Sequence, residues 1–230
     1  MLSIIVPTLN EQDVIEEFLL KLKNINLKNY EVIIVDDSTD KTAIIAKKAL
    51  KKFGIKGKII KRYGKTGKGS AILDGIKLSK GNFIITIDAD LQYPVEYIPL
   101  ILKKLKKYDF VKTKRIVRED SFLRKLLGLF FRVLVFLLFR IKDDTQSTLR
   151  GFRKHVFDEI KIDSKGFAWD VELIYKLNKK GFKSVTIPTI YVKRKIGKSK
   201  ISLLQIIKMF FELMKIFYNL NFSFKNFLNQ

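Results

Sequence analysis

The chain has 230 residues, with 46 Lys+Arg against 23 Asp+Glu, one His and no Cys, and 47% of it is apolar. Disulfide-stapled folds and Cys-ligated zinc or iron–sulfur centres are excluded, one His is too few for a His-based metal site, and the apolar content is too high for disorder. The formal net charge of +23 calls for an anionic partner.

LSIIVPT at 2–8 reads as a buried strand, and Asn10 with Asp13 can cap a helix running to about Leu22. EVIIVDD at 31–37 is a second strand, followed by STDKT and a helix through about Lys52. GKII at 57–60 is a third, GKTGKGSAILDGIKLS supplies a loop and helix, and NFIITIDAD at 82–90 is a fourth strand. Strands that are continuously apolar and alternate with helices predict an α/β fold, a mostly parallel sheet covered on both faces.

Residues 122–140 form a helix candidate with Arg124, Gly128, Arg132 and Arg140 at multiples of four. Residues 166–180 form another, and KSVTIPTIYVKRK at 183–195 reads as a strand pair interrupted by Pro188. No Gly-, Ser- or Pro-rich linker divides the chain. The expected organisation is one domain over 1–200, in two halves (1–100 and 101–200), and an amphipathic tail over 201–230.

The charge is unevenly spread. Residues 101–154 carry 16 basic and 5 acidic side chains and residues 178–230 carry 11 and 1, so these two blocks hold almost all of the net charge. They also contain the most apolar runs, at 122–140 and 201–220. Basic and apolar residues in one segment suit an anionic membrane surface better than a nucleic-acid groove.

In open α/β sheets, ligands bind beyond the carboxyl ends of the strands. Asn10 and Glu11 follow the first strand, Asp36 and Asp37 end the second, and Asp88 and Asp90 end the fourth, which gathers carboxylates in one crevice. In extended backbone Asp88 and Asp90 point the same way, with Gln92 next in phase. Hard oxygen donors without Cys or clustered His favour Mg²⁺ or Mn²⁺.

The ordered set VPTLNE, VDDSTD, GKTGKG and IDADLQYP resembles glycosyltransferase family 2, which has a nucleotide-sugar-binding GT-A fold. DTQSTLRGFR (144–153), WDVELIYKL (169–177) and KRKIGKSK (193–200) look like the later motifs of dolichyl-phosphate mannosyltransferases and related polyprenyl-phosphate hexosyltransferases. The resemblance covers about residues 1–202. Two departures stand out: Thr148 occupies a position where the family often has Gly, and VDDSTD is one residue shorter than the commoner form.

The resemblance implies that Pro7, Leu9, Asn10 and Glu11 border the nucleotide, that Asp36 reads its base or ribose, and that Lys68 lies near it. Asp88, Asp90 and Gln92 would hold the metal and diphosphate. Arg115, Arg124, Gln146, Ser147, Arg194, Ser199 and Lys200 would hold an acceptor phosphate, with Arg118, Arg132 and Arg150 as rivals. Asp144 would position the sugar and acceptor or assist proton removal. Asp170 and Glu172 would line the sugar pocket or pair with the basic loop.

The implied reaction is inverting transfer of a hexose, with mannose from GDP-mannose as the expected donor, onto a dolichyl or polyprenyl phosphate at the cytoplasmic membrane face. The rivals are another donor such as UDP-glucose, and a non-catalytic basic binding module. A phosphate monoester with a second pKa of about 6 is already an anionic nucleophile near neutral pH, so no strong base is required. His155, in RKHVFDE, is expected to be structural.

No secretory signal pattern precedes the first strand, so the chain is expected to stay in the cytoplasm. In the tail, Ser202, Gln205, Lys208, Glu212, Lys215 and Asn219 form a polar stripe on an apolar helix. That predicts a peripheral helix lying in the membrane interface with the stripe toward water, since crossing would cost on the order of 8 kcal/mol for its charges. Packing on the domain or on a second copy, and docking of a small membrane subunit, are the alternatives.

Overall fold

The computed structural model describes residues 1–64, 67–118, 122–166, 168–192 and 203–228. The first part alternates β1 (Leu2–Thr8), α1 (Ile15–Asn24), β2 (Tyr30–Asp36), α2 (Thr42–Lys52), β3 (Gly57–Lys61), α3 (Lys68–Leu78), β4 (Phe83–Thr86) and α4 (Tyr97–Leu105). The second part comprises β5 (Phe110–Arg118), α5 (Phe122–Phe139), β6 (Arg150–Arg153), α6 (Val156–Glu159), α7 (Trp169–Lys179), β7 (Ser184–Tyr191) and α8 (Leu203–Leu228).

The seven strands form one sheet in the order β3-β2-β1-β4-β6-β5-β7. β1, β2, β3 and β4 pair in parallel, β6 runs antiparallel to both neighbours, and β7 is parallel to β5. Every strand but β6 therefore ends on the same edge, and β6 begins there, with Arg150 opposite Thr86. This is the expected mostly parallel α/β sheet.

Both faces are covered, which is why the strands lack polar alternation. Ile4, Val6, Val32 and Ile34 pack with Phe18 and Leu22 of α1, Ala46 of α2 and Ile98 of α4. The alternate residue Ile5 belongs to the opposite layer with Ile72 of α3, Phe110, Phe152, Trp169 of α7 and Leu213 of α8.

Local expectations were modified at four places. α1 starts without a side-chain cap, because the Asn10 amide oxygen accepts the Thr39 backbone N–H (2.9 Å) instead. β4 stops at Thr86, so Asp88 and Asp90 lie in the following turn, where Leu91 has φ +60°. Residues 184–191 form one strand, since Pro188 sits on an edge strand where a missing N–H breaks no ladder.

The fourth is the tail. Helix α8 is not purely interfacial: Leu213 and Ile216 are buried, and Phe217 meets Phe139 of α5 edge-on with centroids 5.9 Å apart. Glu212, expected in the water-facing stripe, turns inward. Phe210, Phe211, Met214 and Tyr218 remain exposed, as do Leu126, Leu129, Phe130, Val133 and Leu137 along α5. Among the described residues no helix is long and apolar enough to cross a membrane.

Candidate active site

The turn after β4 carries Asp88, Asp90 and Gln92. Lys68, the first residue of α3, places its ammonium 2.6 Å from both Asp88 oxygens. The Gln92 backbone N–H donates to Asp90 Oδ1 (3.2 Å), and its side-chain amide donates to the carbonyl of Val192 (3.2 Å). The Val192 N–H in turn donates to the Gln92 carbonyl at 3.0 Å. The acid turn is thus tied to the end of β7, at the point where the 193–200 motif begins.

The donor set fits a hard divalent cation. Among the described residues no three His, Cys, Asp or Glu side chains gather around one point. Two carboxylates completed by substrate phosphate oxygens is the usual arrangement for Mg²⁺. The Lys68 ammonium astride Asp88 shows that this carboxylate already faces a cation.

On the neighbouring strand ends, the turn after β1 is stitched to the turn after β2. Asn10, at φ +51°, receives the Thr39 N–H, while its own N–H donates to Ser38 Oγ (2.7 Å) and the Glu11 N–H donates to Thr42 Oγ1 (2.9 Å). Pro7 is half-buried within β1, and Leu9 is exposed at the rim.

Asp36 differs from its expected role. It is fully buried: Oδ1 accepts the Thr8 hydroxyl (2.7 Å) and the Ser38 hydroxyl (2.5 Å), and Oδ2 accepts Lys61 Nζ (2.7 Å). Burial pushes its carboxyl up, and the Lys61 ammonium with the two hydroxyls overcomes this and holds it low. Closed to solvent and engaged by these three groups, the carboxylate shapes the turn between β2 and α2.

Its neighbour Asp37 is forked by Arg62, whose guanidinium is itself buried. Arg62 Nε donates to Asp37 Oδ1 (2.6 Å), NH2 donates to Asp37 Oδ2, and NH1 reaches Ser70 Oγ (2.8 Å) and Asp74 (3.2 Å). Burial works against the charged guanidinium, but the two carboxylates raise its pKa. Arg62 thereby joins the ends of β2 and β3 to the start of α3 and so to Lys68.

In the second half of the sheet, β5 grips the loop before β6. Lys112 pairs with Asp143 (2.8 Å), and Thr113 shares a hydroxyl contact with Ser147. Arg115 donates to Asp144 through Nε and NH2, both at 2.8 Å, and to Gln146 Oε1 at 3.3 Å. Burial alone would raise the Asp144 carboxyl, but the Arg115 guanidinium holds it well below the usual range. Arg115 also lies over the Tyr191 ring, 5.3 Å from its centroid.

Two expectations are revised here. Ser147 is fully buried against Thr113, so it anchors the loop and is closed to an acceptor. Arg115 and Asp144, expected in separate roles, are one buried bidentate pair. Gln146 is brought beside them.

Arg150 NH1 pairs with Asp170 at the start of α7, and NH2 holds the Thr145 carbonyl (2.7 Å). Burial pushes Asp170 up, opposed by Arg150 and Lys68, and Asp88 is near enough to act on it. Glu172 accepts the Asp163 and Ser164 N–H groups and pairs with Lys176, so its role is to fold the 161–164 segment.

Arg124 lies on α5 with its side chain outside the described residues, as do Arg194, Ser199 and Lys200 altogether. Residues missed from sequence are Lys61 and Arg62. A basic pair closing a strand directly before a Gly/Lys loop was the available signal, obscured by the abundance of Lys.

The family model for Glycosyl transferase family 2 matches residues 3–161. The undecaprenyl-phosphate 4-deoxy-4-formamido-L-arabinose transferase of Klebsiella pneumoniae (strain 342) is 29% identical over 218 residues, covering 92% of this chain and 66% of the relative. The dolichol-phosphate mannosyltransferase of Pyrococcus furiosus is 30% identical over 228 residues, covering 93% of this chain and 63% of the relative. The chain therefore spans just under two thirds of the length of these relatives. Glucosyl-3-phosphoglycerate synthase from Mycobacterium tuberculosis, solved with Mg²⁺ and uridine diphosphate, shares the fold at TM-score 0.73 and 15% identity, over 95% of this chain and 78% of that one.

Proposed function

The chain belongs to glycosyl transferase family 2, and from that membership we propose that it transfers a hexose from a nucleotide sugar to a polyprenyl phosphate at a membrane surface. The observation that supports this reading is the tie between Gln92 and Val192, which links the Asp88–Asp90 turn to the residue that precedes the basic 193–200 motif in the sequence. Curated relatives named for undecaprenyl-phosphate and dolichol-phosphate substrates support the acceptor class.

Asp88, Asp90 and Gln92 would hold Mg²⁺ or Mn²⁺, which supplies charge compensation for the departing diphosphate. Lys68 keeps Asp88 oriented. Asp144, held ionised by Arg115, is a poor proton acceptor, which suits an acceptor phosphate that arrives as its own nucleophile. Single in-line displacement with inversion fits this reading, because a phosphate that is its own nucleophile needs none from the protein. Buried Thr145 and Thr148 hydroxyls and Arg150 Nε lack a protein partner among the described residues, leaving polar groups for the sugar or for water.

The exposed apolar faces of α5 and α8, with Arg140, Lys208 and Lys215 also exposed, support peripheral attachment to an anionic leaflet. We assign this to the cytoplasmic face, with GDP-mannose as donor. A panel of GDP-mannose and UDP-glucose with a short polyprenyl phosphate tests the activity, and consumption of neither would favour a binding module. Asp90→Ala should abolish metal-dependent transfer and leave vesicle sedimentation intact. Unchanged transfer would overturn the metal assignment.

A further inference from the structure

Lys165, Gly166 and Ala168, which lead into α7, lie between α8 and the start of α3. On one side, Glu212 Oε2 accepts the backbone N–H of Ala168 (3.2 Å), the residue preceding α7. Gly166 lies so close that a Cβ there would collide with the Glu212 carboxylate. Leu213 and Ile216, adjoining Glu212 on α8, are buried in the same cluster as Ala168 and Trp169.

On the other side, the Lys165 carbonyl accepts the Ser70 N–H (3.1 Å), and a Cβ at Gly69 would stand 2.6 Å from the Trp169 Cβ. These contacts seat the first turn of α3, whose leading residue Lys68 holds Asp88. Trp169 is followed by Asp170, which pairs with Arg150. Glu212 and the start of α3 thus both touch the residues that lead into α7, Glu212 at Ala168 and α3 at Lys165 and Trp169.

Glu212 is the single acidic residue between 178 and 230, a segment with 11 basic ones. A carboxylate kept there only for solubility would face water. This one turns inward to the amino end of α7, where the helix dipole and Ala168 N–H favour it.

We propose that Glu212 is a positioning residue for the nucleotide site, making α8 a structural part of that site as well as an attachment helix. The inference rests on the nucleotide-sugar reading above. It gives the two faces of α8 separate duties: Glu212 holds Ala168, with Leu213 and Ile216 in the same buried cluster, whereas Phe210, Phe211, Met214 and Tyr218 face outward. Binding free energy at one face is then felt at the other, and by linkage the influence is reciprocal.

The test is calorimetric titration of GDP and UDP, with Mn²⁺, into the full chain. Glu212→Ala should weaken binding of the nucleotide that the wild type takes by about tenfold, a typical coupling magnitude. Glu212→Gln keeps an acceptor for Ala168 and should stay within about threefold of wild type. Leu20→Ser, at an exposed position of α1, should leave nucleotide affinity unchanged.

Hydrogen exchange on the wild type provides a readout independent of variant folding. Nucleotide addition should protect amides of 168–171 and 209–216 together. Equal affinity for Glu212→Ala and wild type, or nucleotide-induced protection that leaves 209–216 unaltered, overturns the inference alone. A wild type that binds neither GDP nor UDP overturns the nucleotide reading and this inference with it.

Discussion

Replacing Arg115 by Ala tests whether the loop before β6 is held by one buried ion pair. The Arg115 and Asp144 side chains are 6% and 9% exposed and share two hydrogen bonds of 2.8 Å. Removing one partner of such a pair strands a buried charge and costs about 3–5 kcal/mol. Against a total stability of about 5–15 kcal/mol, this lowers the melting temperature by on the order of 10 °C.

The pH dependence separates this cause from simple loss of packing. In the wild type the Asp144 pKa is depressed, so its contribution is complete above the unfolded value of about 3.9 and is lost as pH falls through the folded value. Without Arg115, burial raises that pKa, and the carboxylate is most destabilising at neutral pH. The gap between variant and wild type should therefore narrow as pH is lowered from 7 toward about 4.5. The double variant Arg115→Met with Asp144→Leu, measured by urea denaturation, should lie within about 2 kcal/mol of wild type. A loss under about 1 kcal/mol for Arg115→Ala, or a gap independent of pH, would refute the reasoning.

Three further outcomes are expected. Asp36, Glu31 and Glu172 are all held below ordinary carboxyl values against the upward push of burial, so melting temperature should fall steeply below about pH 4, and a stability maximum near pH 3.5 would contradict this. Ser147→Ala should cost about 1 kcal/mol, because Thr113 keeps its 2.6 Å bond to the Leu149 carbonyl, and it should leave acceptor KM unchanged; a large KM increase would return Ser147 to the acceptor site. Phe130→Ser combined with Phe211→Ser should reduce sedimentation with anionic vesicles at least about tenfold and barely move the melting temperature, since both rings are exposed.

What was legible in the sequence was local. β1, β2 and β3 are short β-branched runs punctuated by Asp, Gly or Asn, and the structure places them within a residue of their expected ends. The expected β4 runs one residue too far at its start and four at its end, because IDAD continues the apolar phase, whereas Leu91 at positive φ belongs to a turn. The antiparallel β6 was hidden, since four residues, RGFR, carry no periodicity. Chemistry that depends on pairs far apart in the chain was equally hidden. Asp36 gave no sign that Thr8 and Lys61 would enclose it, nor Arg115 that Asp144 would take its charge. Glu212 fitted a polar stripe, and only the packing of α8 against the 165–170 turn showed which way it faces.

The seam where β4 meets β6 consists of four antiparallel pairs, from Phe83 opposite Arg153 to Thr86 opposite Arg150. The three strands on one side of β4 all precede it in the chain, and the three beyond the seam all follow it. The backbone therefore passes between the two halves once, through α4. A single genetic crossover in that connection exchanges one complete half of the sheet for another. Recombination between related chains can in this way join one half of the sheet to a different second half, provided Gly69 and Ser70 are inherited with the Lys165 and Trp169 they touch.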